Sequence, residues 1–532
     1  MVLNRAGKAG GKHSMWMNVQ TIADGKQMSV NFDNTEWKAV HEETLLASDD
    51  SRVMEAKALE LQNLKDNNVY EEVEDKGQEF IETKWIVSEK SAEGNTIVKA
   101  RLVAKGFQET IESRTDSPTC RKENIRIIIS IAAANKWKVK SLDIKSAFLQ
   151  GKEIERDLYV KPPREYANGK LWKLKKALYG LNDAAREWYL KLNEAMHDMK
   201  AQRSIYDNAV FYWIIEDQLQ GICACHVDDF ILSGADLFME SLISGVKSRF
   251  KVSSECDGIF KYVGLQITHE ESCICVSQNQ YYNEIEQLNI NVSPNTALNE
   301  KQKRDYKSLA GQLNWISSHS RPDLSFDVCV ANVSLKNATK READHINKAV
   351  RKMKSQDVRL NFANVGDISE CKWICYTDAS FANLPGKASQ GGYIIFLKGA
   401  NGKYSPIAWK SKKIKRVVKS TMAAETLALL EGAEHAFELK SFLQEITGYK
   451  KERFPIVMRT DNDSLEQSVN STNSLEDKRL ELDIAIIREM LEKKELAKVE
   501  WVSTAHQLAD CLTKRGASSE KLLDALKGNW DM

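Results

Sequence analysis

Apolar positions along the chain follow two rhythms, and the switches between them mark its organisation. Residues 1–40 follow neither rhythm and carry scattered glycines and lysines, which reads as a loose leader. From Arg52 to Leu61 the apolar spacing is helical. The runs 80–88 and 96–104 are strand-like and meet at a turn around Gly94-Asn95, which predicts a hairpin. Residues 124–135 predict a buried helix, and 139–142 a short strand ending at Asp143. Trp188, Leu192 and Met196 place a helix over 182–196. Two more apolar runs, 209–215 and 221–232, flank the polar turn Glu216-Asp217-Gln218, and Asp228 and Asp229 interrupt the second at its middle. From about 293 to 362 the pattern is helical and polar. Beyond Lys372 it changes again, to strands at 373–376, 392–397 and 405–409, then a long helix over 421–446. A strand at 456–459, a helix over 480–494 and a strand at 499–503 follow. That order predicts an α/β mixed-sheet unit of about 150 residues, bounded near 365.

At 532 residues the chain has room for about three domains. Lys plus Arg number 76 against 75 Asp plus Glu, so any binding to a polyanion must come from local patches. No apolar stretch approaches the ~20 residues that span a bilayer, and no basic segment followed by an apolar one opens the chain. Membrane and secreted classes are excluded, which points to an intracellular protein. Cys223 and Cys225, like Cys273 and Cys275, alternate within apolar runs, and no C-x2-C pair is followed by a second Cys or His pair. The ten cysteines therefore read as reduced core thiols rather than a zinc site.

The candidate chemistry is carboxylate chemistry. His226-Val227-Asp228-Asp229-Phe230 sets two adjacent acids between apolar strands, and bare buried charge is expensive, so the pair must sit on a hairpin tip or be neutralised. Asp143 ends another apolar strand. Strand-end carboxylates that converge make a site for two hard cations, and oxygen ligands suit Mg²⁺. A second constellation lies past 370: Asp378 closing a strand, Glu425 near the start of the long helix, Asp461 ending a strand, and Asp510 just after the last one. Strand-end and helix-start positions on one open sheet can face a common crevice.

Several motifs occur in a set order: Lys84-Trp85 with Lys99-Ala100-Arg101-Leu102-Val103-Ala104-Lys105-Gly106-Phe107, then Leu142-Asp143-Ile144-Lys145-Ser146-Ala147-Phe148-Leu149-Gln150-Gly151. Leu178-Tyr179-Gly180-Leu181 with Arg186-Glu187-Trp188 comes next, then His226-Val227-Asp228-Asp229, Tyr262-Val263-Gly264-Leu265-Gln266-Ile267, Ser308-Leu309-Ala310-Gly311 and Ser320-Arg321-Pro322-Asp323. From about Asp50 to Lys514 this resembles the reverse transcriptase of copia-type LTR retrotransposon Pol polyproteins, followed by their ribonuclease H. The resemblance implies an α+β and α/β multidomain fold: a right-hand polymerase with fingers, palm and thumb, then a ribonuclease H-like mixed-sheet domain. Its expected divisions are a leader (1–50), fingers and palm (51–292), a helical thumb or connection (293–365) and the ribonuclease H-like domain (366–532).

By the same resemblance, Asp143, Asp228 and Asp229 are expected to be polymerase metal ligands, with the Ile144 carbonyl as a fourth, and Asp378, Glu425, Asp461 and Asp510 to hold ions for RNA cleavage. Mg²⁺ is the expected ion, two per site, with Mn²⁺ as the alternative. Phe148 would stand against the sugar, Lys99 and Arg101 would hold triphosphate oxygens, and Gly180 belongs to the same nucleotide-binding set. The run Lys410, Lys412, Lys413, Lys415, Arg416 and Lys419 is placed to hold hybrid phosphates. Lys161, Arg164, Lys170, Lys173, Lys175 and Lys176, interleaved with Tyr159, Trp172 and Tyr179, fit backbone tracking with base stacking. Expected partners are an RNA template, a DNA primer, the RNA–DNA hybrid and deoxynucleoside triphosphates. The element's capsid and integrase are further candidates, in a cytoplasmic virus-like particle or the nucleus.

The chain departs from the family at named places. His226 stands for the usual Tyr, and Asn182-Asp183-Ala184-Ala185 for Lys-Gln-Ala-Pro, which removes a cation and adds an acid near the nucleotide. Arg479-Leu480-Glu481 replaces a Lys-His-Ile segment. With no aspartic protease signature, zinc knuckle or integrase core, the chain reads as the downstream part of a polyprotein, truncated at its front. The alternative function is a catalytically decayed relic that binds nucleic acid without activity.

Overall fold

The computed structural model describes residues 51–532 other than 93–94, 111–113, 450–452 and 532, and the backbone of four short strands before residue 51. Three of these, Val2–Asn4, Trp16–Gln20 and Gln27–Asn31, pair antiparallel, and Trp37–Ala39 adds to the edge of Ile81–Ala92. The rest of the leader, and Gly94 of the expected hairpin turn, lie outside the described residues.

A six-stranded antiparallel sheet carries the first acid constellation. Its order is Gln202–Arg203, Val210–Ile215, Gln218–His226, Asp229–Gly234, Lys138–Ile144, Val252–Asp257. The apolar run 221–232 is thus two strands, folded back on each other at the acidic pair. The turn before it, Glu216-Asp217, has positive φ at both residues (51° and 59°), the geometry that matches the twist of a tight hairpin. Helix Lys122–Asn135 is apolar nearly all round, with Ile125, Ile127, Ile128, Ile129 and Ile131 all buried, so it lies enclosed between layers. The expected hairpin is present as Ile81–Ala92 and Asn95–Ala104, backed by helix Ser51–Asp66.

The helical stretch after 293 resolves into Glu300–His319, Ser325–Val333 and Lys340–Ser355, which share a core of their own. Phe362 does not end a helix. It lies in strand Leu360–Ala363, which completes a four-stranded sheet with 259–277. The C-terminal sheet has the order Tyr404–Lys413, Ala388–Lys398, Lys372–Leu384, Ile456–Thr460, Lys498–Trp501. The first three strands are antiparallel and the last two join in parallel. Helix Thr421–Thr447 packs across it, capped by Ser420 at its start and by Gly448 (φ 73°) at its end. Among the described residues no helix is long and apolar enough to cross a membrane.

Candidate active sites

Strand register builds the first site. Asp229 lies directly across from Asp143, and His226 across from Asp229, which leaves Val227 and Asp228 as a two-residue tip. Val227 is β-branched yet has φ 60°, a strained state that costs about 1–3 kcal/mol and persists where surroundings enforce it. Those surroundings are visible: Trp188 Nε1 donates to the Val227 carbonyl (2.7 Å), and the Ile144 N–H donates to the Asp228 carbonyl (2.9 Å). The Ser253 hydroxyl donates to Asp143 Oδ2. Burial, then the facing charge of Asp143, pushes the Asp228 carboxyl up to about 6, with Arg101 and Lys99 pulling the other way. Burial and the neighbouring Arg101 in turn lower the Lys99 pKa, against the pull of Asp143, Glu60 and Asp228. Asp143, Asp228 and Asp229 together outnumber Lys99 and Arg101, and a divalent ion would offset the acids' mutual repulsion.

Arg101 lies 5.2 Å over the Tyr179 ring, and Phe148 packs 5.6 Å from the same ring, 8% exposed. Gly180 has φ 89°, and a Cβ there would come within 2.2 Å of the Ala104 carbonyl oxygen. Its role is close backbone contact, which lets the Asn95–Ala104 hairpin strand dock on the loop that carries Tyr179. Sequence reasoning missed Glu60, a buried acid with a raised pKa that faces Arg101 and Lys99. Only the recurrence of Glu60 and Asn63 on one helix face could have signalled it. The acid gained at Asp183 is buried and neutralised: Arg156 bonds it (2.6 Å) and Glu109 (2.8 Å).

In the second site, ligand-type oxygens of Asp378, Glu425 and Asp461 all lie within 4.8 Å of one another. Asp378 sits inside strand Lys372–Leu384 rather than at its end, because the strand runs on past it beside Ala388–Lys398. Glu425 is in the first turns of its helix, which approaches the sheet closely at Gly432. A Cβ there would meet Thr377 Cγ2 at 2.9 Å. Asp461 follows Ile456–Thr460 and accepts from the Thr504 hydroxyl (3.1 Å). Asp510 joins through Lys514, whose Nζ lies 2.7 Å from Asp510 Oδ1 and 3.0 Å from Asp378 Oδ1. Thr513 donates to the other oxygen of Asp378.

Burial lifts Asp378 to about 6 despite Lys514, and lifts Glu425 well above the carboxylate range, with Asp378 adding to the effect. Glu425 Oε2 is buried without a hydrogen-bond partner. An orphaned oxygen in an all-carboxylate cluster fits a hard divalent cation. Lys514 was missed, although its position four residues after Asp510 was the available clue.

The basic stretches look different in place. Lys410 and Lys412 both pair with Glu431, and Arg416 with Asp483, while Lys413 and Lys415 are exposed. In the earlier stretch, Lys173 pairs with Asp157 and Lys175 with Glu71. Trp172 is buried and stacked on Tyr70 (4.0 Å), and Tyr179 is buried too, so these two rings serve the core and offer no face to a base. Cys273 and Cys275 share a strand face with Sγ atoms 3.7 Å apart, as their alternation predicts.

Residues 67–298 match the family model described as reverse transcriptase (RNA-dependent DNA polymerase). The retrovirus-related Pol polyprotein from transposon TNT 1-94 of Nicotiana tabacum is 29% identical over 507 residues, covering 89% of this chain and 37% of that protein. Over most of its length the chain is thus similar to copia-type LTR retrotransposon Pol polyproteins. The Pol polyprotein from transposon RE1 of Arabidopsis thaliana is 26% identical, covering 81% of this chain and 30% of its own length. The chain thus spans about a third of the length of these Pol relatives. A solved foamy viral protease-reverse transcriptase in complex with RNA/DNA hybrid has 10% identity and a TM-score of 0.49, over 85% of this chain and 54% of that one. At that distance it carries no residue roles.

Proposed function

We propose that this chain is an RNA-directed DNA polymerase whose C-terminal domain is a ribonuclease H acting on RNA in RNA–DNA hybrids. The observation that carries the reading is the strand register that sets Asp143 against Asp229 with Asp228 at a strained tip, under Lys99 and Arg101. Asp143, Asp228 and Asp229, with the Ile144 carbonyl, would hold the ions of the polymerase site. Asp378, Glu425, Asp461 and Asp510 would hold those of the nuclease site. Bound Mg²⁺ would supply Lewis-acid stabilisation of the attacking and leaving oxygens in an in-line phosphoryl displacement.

The chain's own residues do the rest. Lys99 and Arg101 neutralise and orient the triphosphate, Arg by its two-pronged fork. Phe148, fixed against Tyr179, limits room at the sugar and so favours deoxynucleotides. In the nuclease site Thr504 and Thr513 fix carboxylate orientation. Exposed Lys413 and Lys415 are the members of the basic run best placed to meet a hybrid backbone. Partners are then an RNA template, a DNA primer and deoxynucleotides.

The test is primer extension and hybrid cleavage by the purified chain in Mg²⁺, alongside Asp228→Asn. Extension lost with cleavage retained supports two separate sites. Nucleic-acid binding with neither product would identify a decayed relic.

A further inference from the structure

Arg126 is 3% exposed, on the helix Lys122–Asn135 that lies beneath the polymerase sheet. Among the described residues its guanidinium makes no carboxylate bond; it donates to carbonyls from two other parts of the chain. Nη1 donates to the Ile407 carbonyl (2.9 Å), and Nη2 to those of Ser318 (2.7 Å) and His319 (3.0 Å). Its Cζ lies 3.8 Å from the centroid of the Trp409 ring, and Trp409 Nε1 donates to the Ser317 carbonyl (2.7 Å).

Each acceptor has a reason to be available. Ile407 is the extra residue of a β-bulge, where Ile395 pairs with Ala408 and Phe396 with Pro406. The bulge lies on Tyr404–Lys413, an edge strand of the C-terminal sheet. Bulges leave a residue out of the ladder and turn it aside. Ser318 and His319 are in the last turn of Glu300–His319, where helix carbonyls lack intrahelical partners and carry partial negative charge. One forked cation therefore joins the polymerase helix, the end of a connecting helix and the nuclease sheet. Around it, a single apolar core runs from Ile125 and Ile128 through Ile407 and Trp409 to Leu439 and Phe442. At the rim Arg121 pairs with Glu438, and Glu445 accepts from the Ile205 N–H (2.7 Å).

We propose that Arg126 is a positioning residue that locks the nuclease domain to the polymerase palm, so that the two acid sites keep a fixed separation and RNA is cut at a set interval behind the primer terminus. The cutting interval rests on the proposed function; the lock itself does not. An ammonium has the charge but not the fork, so lysine cannot span the same carbonyls.

The experiment uses the full chain and the variants Arg126→Lys, Arg126→Gln and, as a second route to the same joint, Trp409→Leu. Calorimetry should give one cooperative transition for the parent chain and a separated, lower transition in the variants. On an end-labelled RNA template annealed to a primer, the parent should give one dominant cut position relative to the primer end. The variants should spread the cuts over several positions while extension rates and cleavage of a uniform hybrid change less than twofold. Folded variants that keep one transition and the parental cut position overturn the proposal. A parent with neither activity would sink the functional reading, and the calorimetric comparison would still decide the lock. If Arg126→Gln does not fold, the lysine and Trp409→Leu variants decide both arms.

Discussion

The two acid sites solve one electrostatic problem in different ways. In the C-terminal sheet, neighbouring strands and a closely packed helix gather Asp378, Glu425 and Asp461 to within 4.8 Å, and Lys514 reaches in from the same domain to balance Asp378 and Asp510. At the Val227-Asp228 tip the acids sit on a strained turn, and the balancing cations Lys99 and Arg101 come from a separate hairpin. A site closed by its own sheet is assembled when the domain folds. A site closed by a hairpin depends on a second segment docking before its charges are balanced.

That contrast can be broken most directly by exchange of one oxygen for nitrogen at each site. Asp228→Asn should cut primer extension by about 10³-fold or more, given that a metal-held site supplies several kcal/mol, and leave hybrid cleavage within about twofold. Glu425→Gln should do the reverse, and loss of both activities in either variant would deny that the sites are independent. Phe148→Ala should cost about 3 kcal/mol of stability, as for a truncated core ring, and raise ribonucleotide incorporation. Thermal melts and competitive incorporation measure both, and a stability loss with unchanged sugar selectivity would reduce Phe148 to packing.

The pH dependence is a smaller effect. Asp228 and Asp378 rise from 3.8 to about 6, so the folded protein holds their protons more tightly than the unfolded chain does. Without metal, the stability these two groups contribute is fully present below pH 4 and is lost as pH climbs through 6. Mg²⁺ competes with those protons, so the rise in Tm on adding Mg²⁺ should be larger at pH 8 than at pH 5.5; equal gains would contradict carboxylate binding. Smallest is Lys514→Ala. Its ammonium is partly solvated, so the metal-free Tm should reflect only about 1 kcal/mol, while the stabilisation gained from Mg²⁺ increases. A variant less responsive to Mg²⁺ would show that Lys514 assists binding instead of opposing it.

Much of this was legible because period and chemistry coincide. Asp228-Asp229 broke an apolar run where a hairpin tip had to be, and the C-terminal order of strands and helices matched the observed sheet. Unreadable features depend on contacts between distant segments. The neutralisation of Asp183 requires Arg156, and the pairing of Lys410 and Lys412 requires Glu431, on the long helix that follows. Trp172 looked like a stacking platform because burial against Tyr70, about a hundred residues earlier, leaves no local trace. Glu60 and Lys514 stayed hidden for the same reason: single charged residues on helices or turns are ordinary until the partners they face are known.

Lys514 also bears on how the chain comes to exist at all. Clustered acids repel one another, and a nascent polypeptide that depended on captured ions would have to wait for them before this sheet could close. A tethered positive group between Asp378 and Asp510 acts as built-in ballast, which lowers that repulsion before any ion arrives.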